Sequence, residues 1–451
     1  MIPEGALHII RALRLRGHQA VLAGGCVRDL VLGQTPRDWD IATDADPETV
    51  MALFPVTIPV GAKFGIVLVR LDDGEYEVAR FRRDGPYLDG RHPSQVTFAD
   101  AAADARRRDF TINGMFYDPE EGRVVDLVGG RDDLAAKLVR AIGRPEERFA
   151  EDHLRALRAV RFAARLGFQI EAQTAAAIRA AAPGLARISP ERVRDELTAI
   201  LTEGAAGQGM QMLLELGLLA QVLPEVAAMD GVPQAPEHHP EGDVWTHVRL
   251  MLERLPPASP ALAWGALLHD VGKPLTLTRA DRIRFHNHDQ VGAGLVDAIA
   301  ARLRLPHALA GPVRQMAAQH MRFRHVRQMR ESKLRRFLRQ PGFAELLELH
   351  RLDCVASHGQ LDLYEFCREK VAASGEEQLR PPRLVNGHDL IELGGVPGPR
   401  FREILEQLED EQLEGRLAAR DQALARARQL LGEGGAAVPG AVSAPECGGH
   451  A

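Results

Sequence analysis

Cysteine is scarce. The chain of 451 residues holds four, Cys26, Cys354, Cys367 and Cys447, and no CxxC pair. That excludes a disulfide framework and a cysteine zinc site, and it fits a reducing compartment. Long apolar runs are missing too. No stretch nears the ~20 residues that span a bilayer as a helix, so no membrane partner is expected. The first residues, MIPEGALHIIRALRLRG, are cut by Arg11, Arg14 and Arg16. They lack the apolar stretch of a secretory leader, which makes the cytoplasm the expected location. Lysine is nearly absent: five of the 56 basic residues are Lys and the other 51 are Arg, the bias a GC-rich genome produces. A net charge of −6 argues against a surface that binds nucleic acid all over. The charge is uneven, however. Residues 301–340 carry eleven Arg or Lys against one acid, Glu331, enough to neutralise phosphates on RNA or DNA, or simply a solvated helix face.

A hydrophobic share of 45% and a charged share of 26% are those of a globular protein. The length suggests about three domains at ~150 residues each. Residues 1–142 read as α/β. Strands are expected at AVLA, at GIVLVRL (65–71), at YEVARF (76–81) and at RVVDLVG (123–129), from β-branched content and alternation. A helix, CVRDLVLG, follows the first strand. From about 145 the apolar spacing turns helical, and EERFAEDHLRALRAVRFAARLGF reads as helix. Loop-rich stretches at 223–243 and 372–387 mark boundaries, and 400–431 reads as a charged helix or helix pair. The Gly/Ala/Pro-rich end, 433–451, has no periodicity and is expected to be disordered. The division is thus 1–142, 143–225, 226–371, 372–432 and 433–451.

Four short motifs carry chemistry. Gly24-Gly25 between strand and helix lets backbone approach a ligand closely, and the helix start with Arg28 suits a phosphate. Asp38 and Asp40, placed on a strand over 38–42, point to one face, where their repulsion calls for a cation such as Mg²⁺. In Arg106-Arg107-Arg108-Asp109-Phe110-Thr111-Ile112-Asn113 a basic run stands beside an acid and an amide, suited to triphosphate and sugar. In EDHLRALRAVR, Asp152 and Arg155 are i and i+3 on a helix. They read either as an intrahelical ion pair or as an acceptor and donor matching a base edge. Asp would accept from the exocyclic amine of cytosine or adenine and reject uracil.

In this order, GGCVRDLVLG with DWDIAT, RRDFTINGM, IGRPEERF, EDHLRALRAVRFAARLGF and ERVRDELTAIL resemble the class II tRNA nucleotidyltransferases and related bacterial poly(A) polymerases. The stretch LVNGHDLIELGGVPGPRFREIL resembles that family's RNA-binding tail. The resemblance implies a polymerase-β-like α/β head followed by an all-α neck, body and tail. It implies that Asp38 and Asp40 bind the catalytic Mg²⁺ and that Gly25, Arg28 and Arg108 contact triphosphate. It gives Asp152, Arg155, Arg158 and Arg161 nucleotide contacts, with Asp152 and Arg155 reading the base. Glu77 is a candidate third carboxylate or a solvated strand residue. Two positions depart from the pattern: Arg144 where an acid or amide is expected, and Gly114 where Ala is usual. The implied reaction is addition of CTP and ATP to a tRNA 3′ end as CCA. Poly(A) addition, CC-only or A-only addition, and a non-catalytic RNA scaffold stay open. A flexible loop over 82–98 resembles the one full CCA-adding members use.

A second constellation lies further on. His247, His269-Asp270, His288, His320 and Asp353 fall on helix-like segments, and imidazole with carboxylate suits one or two divalent metals. The pattern resembles HD-type metal phosphohydrolases. His247, His269, Asp270 and Asp353 are the expected ligands, with His288 and His320 as further candidates. Oligomeric state is not legible.

Overall fold

The computed structural model describes residues 2–61, 65–85, 95–237, 239–279, 281–373 and 381–432. They form two compact units: Met1–Gln319 with Leu352–Gly359, and His320–Arg351 with the chain from Gln360 onward.

The first unit begins with α1 (Glu4–Leu15), β1 (Ala20–Ala23), α2 (Gly25–Val31), β2 (Ile41–Thr43) and α3 (Pro47–Leu53). The strands β3 (Thr57–Gly61), β4 (Ile66–Leu71), β5 (Gly74–Arg80), β6 (Arg82–Asp84) and β7 (Val96–Phe98) follow. A helix α4 (Ala101–Arg107) then leads to β8 (Phe116–Asp118) and β9 (Arg123–Val125). Seven strands make one sheet in the order β3-β4-β5-β2-β1-β8-β9. Only β2 and β5 run parallel, with Ile41 opposite Val78; the other pairs are antiparallel. Alternation buries one side chain in two along β4 and β5, where Val67, Val69, Tyr76 and Val78 are inside. Ala23, Ala42, Phe81, Ala105 and Phe116 close the core beneath the sheet's centre.

Several expectations shift. The strand placed at 38–42 begins at Ile41. Asp38 lies in a bend, and Asp40 stands just outside β2 with its carbonyl accepting from Ala23 N–H at 3.0 Å. β9 stops at Val125 because the Asp126 carboxylate captures the N–H groups of Val128, Gly129, Gly130 and Arg131 at 2.9–3.1 Å. The loop over 82–98 is a strand pair at both ends, Arg82 opposite Phe98 and Asp84 opposite Val96; its tip, 86–94, lies outside the described residues. β3 and β8 were not expected.

After α5 (Gly130–Ala135) and β10 (Leu138–Val139) the unit is mostly helical. The single helix expected over the EDHLRALR segment is two: α6 (Pro145–Glu151) and α7 (Arg155–Leu166). Asp152 breaks it. Its backbone is extended, and its side chain accepts from Leu154 N–H at 3.0 Å, a local bond that competes with the helical one. A short strand β11 (Gln169–Ile170) pairs parallel with β10. Then come α8 (Ala172–Ala181), α9 (Pro190–Thr202), α10 (Ala206–Glu215), α11 (Leu219–Val222) and α12 (Pro224–Ala227). Beyond a loop lie α13 (Val244–Glu253), α14 (Pro260–Leu268), α15 (Lys273–Thr276), the hairpin β12 (Leu277–Arg279) and β13 (Ile283–Phe285), α16 (His288–Leu303) and α17 (His307–Gln319). Gly114 has a packing reason: an added Cβ would lie 2.7 Å from Val128 Cγ2 and 3.0 Å from Ile142 Cδ1. Arg144 is the exposed N-cap residue of α6 and pairs with Glu147 at 2.9 Å.

In the second unit the tail is a helix pair, Pro399–Leu413 and Arg420–Gly432. A third helix, Gly387–Glu392, begins with a capping box between Asn386 and Asp389. Val385, Leu390, Ile404, Leu408, Ala423 and Ala427 form its core. Residues 374–380 and 433–451, where a boundary and a disordered end were expected, lie outside the described residues.

Candidate active site and a second polar cluster

A polar cleft of about 630 Å³ opens beside the sheet in the first unit. Its lining brings together nine residues the sequence singled out for nucleotide chemistry: Gly25, Arg28, Asp38, Asp40, Arg108, Asp152, Arg155, Arg158 and Arg161; Arg106 of the basic run is not among them. At the head of α2 the demanding glycine is Gly24. Its φ is +74°, and a Cβ there would lie 2.8 Å from an Arg108 guanidinium nitrogen. Gly25 is the first residue of α2, with room for a Cβ.

Asp40 carries the strongest sign of a cation site. Burial pushes its carboxyl up, the charges of Glu77 and Asp38 push further, and Arg108 opposes them, leaving it at about 6. Carboxylates that resist ionising together are a donor set suited to a hard divalent ion. Glu77 acts through this field from β5 and is not in the cleft lining.

Facing them is a ladder of arginines, each aimed by a carboxylate or an amide. Arg28 is buried, bonded to Asn113 Oδ1 at 2.7 Å and to Asp29 at 2.6 Å. Arg108 bonds Asp104 at 3.0 Å and the Asn113 carbonyl at 3.3 Å. Arg158 gives two N–H groups to one oxygen of Asp109, at 2.7 and 2.9 Å. Burial would raise the Asp109 carboxyl, but Arg158 and Asn113 hold it at about 2. Arg161 pairs with Glu196 of α9 at 2.8 Å.

Asp152 and Arg155 do not form the intrahelical pair, because the helix breaks between them. Asp152 is held by Arg192 of α9, at 2.7 Å to one oxygen and 3.3 Å to the other. Arg155 bonds Glu151 and the carbonyls of Arg148 and Arg107, at 3.0 and 3.4 Å. The two side chains thus line one cleft from separate anchors.

The second cluster lies in the same unit. His247, on α13, is fully buried, with Nε2 3.2 Å from Asp353 Oδ1. The ligand atoms of His247, His269 and Asp353 lie within 4.8 Å of one another. His269 Nε2 is 3.2 Å from Asp270 Oδ2, and His288 Nε2 is 3.5 Å from Asp270 Oδ1. Two ligands on one divalent ion with bonds of about 2.0–2.1 Å stand about 2.9–3.4 Å apart, which the His247–Asp353 and His269–Asp270 spacings of 3.2 Å match and the 3.5 Å of His288–Asp270 slightly exceeds. The tautomers fit as well. Nδ1 of His247 faces Glu241 at 2.7 Å, and Nδ1 of His269 and of His288 faces the carbonyls of Ala266 and Phe285, each at 3.0 Å. Acceptors at Nδ1 leave the Nε2 lone pairs for a metal. The residues therefore fit a divalent ion. His320 falls in the second unit.

The chain matches three family models: the poly A polymerase head domain over 20–140, the probable RNA and SrmB-binding site of polymerase A over 167–229, and the HD domain over 242–353. The CCA-adding enzyme of Geobacillus thermodenitrificans is 46% identical over 216 residues, 48% of this chain and 53% of that protein. That of Bacillus subtilis is 42% identical over 218 residues, 48% of this chain and 55% of the other. The chain thus spans about half the length of these curated relatives. The crystal structure of the Bacillus stearothermophilus CCA-adding enzyme in complex with CTP covers 95% of this chain and 99% of its own, at 28% identity and a TM-score of 0.72. Over about half its length the chain is similar to CCA-adding enzymes, and its head segment matches the poly A polymerase head domain. The Thermotoga maritima CCA-adding enzyme complexed with tRNA, 20% identical with a TM-score of 0.60, shares the fold.

The residues that sequence reasoning missed are the anchors. Asp109, Asn113, Arg192 and Glu196 sit inside quoted motifs, yet only the fold pairs them with cleft arginines and Asp152. Glu241 and His239 lie in EHHPEGD, a stretch read only as a boundary; two His and a Glu close together were the available signal. Lys273 is buried, 2.6 Å from Asp270 and 2.6 Å from Gln234 Oε1. The basic block at 301–340 is less free than its charge suggests. Arg302, Arg304, Arg314, Arg335, Arg336 and Arg339 each pair with a carboxylate. No helix among the described residues is long and apolar enough to cross a membrane.

Proposed function

We propose that this protein is a template-independent nucleotidyltransferase that adds CCA, from CTP and ATP, to the 3′ end of tRNA in the cytoplasm. The carrying observation is the cleft itself, which sets Asp38 and Asp40 against an arginine ladder and Asp152 in one polar cavity of about 630 Å³. The solved relative in complex with CTP supports the nucleotide, and the relatives' names support the product. The proposed division is a head over 1–142, a neck over 143–225, an HD-type body over 226–371 and a tail over 372–432.

In this reading the RNA 3′-hydroxyl gives its proton to solvent, its oxygen bonds to the α-phosphorus, the bond from that phosphorus to the β-phosphate oxygen breaks, and pyrophosphate leaves. Asp38 and Asp40 would hold Mg²⁺, which would supply activation of the hydroxyl and stabilisation of the leaving oxygens. Arg28, Arg108, Arg158 and Arg161 take the triphosphate charge, with Gly25 at the close approach of the backbone. Asp152 accepts from the exocyclic amine of cytosine or adenine. Oδ1 accepts from Arg192 and from Leu154 N–H, Oδ2 accepts from Arg192 alone, and a carboxylate oxygen has two lone pairs, so one acceptor on Oδ2 remains for the base. Arg155 donates to the ring acceptors. Uracil presents a carbonyl oxygen to Asp152 and is refused.

The test is incubation with tRNA ending at the discriminator base and labelled CTP and ATP. Two C followed by A supports the proposal. C alone, A alone or runs of A identify a partial or poly(A)-adding enzyme, and no incorporation leaves an RNA scaffold. The histidine cluster favours a second reading beside the first: an HD-type phosphohydrolase holding one or two divalent ions on His247, His269, Asp270 and Asp353, with His288 adjoining Asp270. Release of phosphate from phosphomonoesters, or opening of 2′,3′-cyclic phosphates, tests it.

A further inference from the structure

Ahead of α13 the chain makes a strap stitched at several points. Asp243 accepts Gly231 N–H at 2.6 Å and Thr246 N–H at 2.8 Å, Val244 N–H reaches the Val232 carbonyl at 2.9 Å, and His239 N–H reaches Ala235 at 3.0 Å. Glu241 hangs from this strap with its side chain only 5% exposed. One of its oxygens, Oε1, lies 2.7 Å from His247 Nδ1 and 2.9 Å from His239 Nδ1. The two rings meet edge to face with centroids 5.0 Å apart.

Distance decides what this arrangement is. An ion between Glu241 and His247 would hold their atoms about 2.9–3.4 Å apart. At 2.7 Å the contact is a hydrogen bond. A carboxylate accepts only, so Nδ1 of His247 carries the hydrogen and its lone pair sits on Nε2, facing Asp353 at 3.2 Å. A carboxylate behind an imidazole fixes the ring's tautomer and angle and makes its other nitrogen a better donor to a metal.

We propose that Glu241 is a positioning residue for the divalent metal of the histidine cluster, acting through His247. The strap segments 230–237 and 239–243 are then part of the metal site's construction. The proposal rests on the reading of His247, His269 and Asp353 as metal ligands, and it adds a residue outside that ligand set.

The experiment titrates Co²⁺ into the full chain carrying Asp38→Ala and Asp40→Ala, which silences the cleft. Visible absorption from imidazole-bound Co²⁺ reads occupancy, and thermal unfolding in chelator reads the fold. Glu241→Ala should weaken Co²⁺ binding about 10- to 100-fold and shift the absorption band as the His247 ring turns. Glu241→Gln, which still accepts from Nδ1, should recover part of the affinity. A strap that only packs would lower the unfolding temperature in both variants and leave affinity and band unchanged, overturning the proposal. If the unmodified His247 site takes up no Co²⁺ at all, the metal reading and this proposal fall together. Uptake equal in all three proteins removes Glu241 alone.

Discussion

Asp152→Asn offers the sharpest test of base selection. The change keeps the side chain's shape and leaves Oδ1 to accept from Leu154 N–H at 3.0 Å and from Arg192 at 3.3 Å, while the 2.7 Å contact of Arg192 with Oδ2 is given up. It replaces the other oxygen with an amide that donates. Cytosine's amine would then meet a donor, while the carbonyl oxygen of uracil would gain one. A hydrogen bond to a charged group contributes about 1.5–3 kcal/mol, so losing it should lower kcat/KM for CTP about 10- to 150-fold. UTP should rise in the opposite sense by a smaller factor, because its new bond is between neutral groups. The assay is single-nucleotide incorporation into tRNA ending at the discriminator base, with CTP and UTP compared at matched enzyme. A structural reading makes a different forecast. If Asp152 only anchors Arg192 of α9, both nucleotides slow together and their ratio stays put. An unchanged CTP-to-UTP ratio would refute the base-reading assignment.

Asp38→Ala or Asp40→Ala should abolish incorporation while tRNA binding, measured by gel shift, stays near its original strength; turnover surviving in either variant would remove the metal assignment. The metal-free protein should lose stability as pH rises through Asp40. Its folded value of about 6 lies above the ordinary 3.8, so the folded state binds the extra proton between those values. Asp40→Asn should flatten the fall in unfolding temperature between pH 4 and 7 in chelator, and an identical slope would contradict the cause given. Asp109 has the reverse sign: held at about 2, it stabilises the fold above pH 3.8 and loses that contribution as pH falls. Asp109→Asn should cost about 2 kcal/mol at pH 7 by urea unfolding, and no loss there would mean Arg158 finds equal support elsewhere. His269→Ala with Asp270→Ala should empty the histidine site by elemental analysis and end phosphohydrolysis while CTP incorporation persists; retained metal would sink the ligand assignment.

The head's fold was legible where local patterning and tertiary role agree. AVLA, GIVLVRL and YEVARF alternate or run apolar because they fill one sheet, and they appear as β1, β4 and β5. β3 and β8 were hidden. Thr57–Gly61 leaves Ile58 and Val60 exposed at the sheet's edge, so burial never imprinted an alternation on it. Phe116–Asp118 is three residues, too short to show a period. The break at Asp152 was hidden too. The apolar spacing continues through it, and only a side-chain bond to Leu154 N–H ends the helix.

The sequence alone nominated residue types for each chemistry: the paired Asp38 and Asp40, the arginines at 158 and 161, the histidines before Asp353. Those are statements about short stretches, where spacing along a helix sets direction; the strand spacing expected for Asp38 and Asp40 did not hold, since both lie before β2. What holds each of these groups in place came only with the tertiary structure. Asp109 lies 49 residues from Arg158, Arg192 lies 40 from Asp152, and Asp353 lies over a hundred from His247. No local period encodes such pairs. They form because sheet and helices bury these groups together, and a buried charge without a partner costs more than the fold can spare.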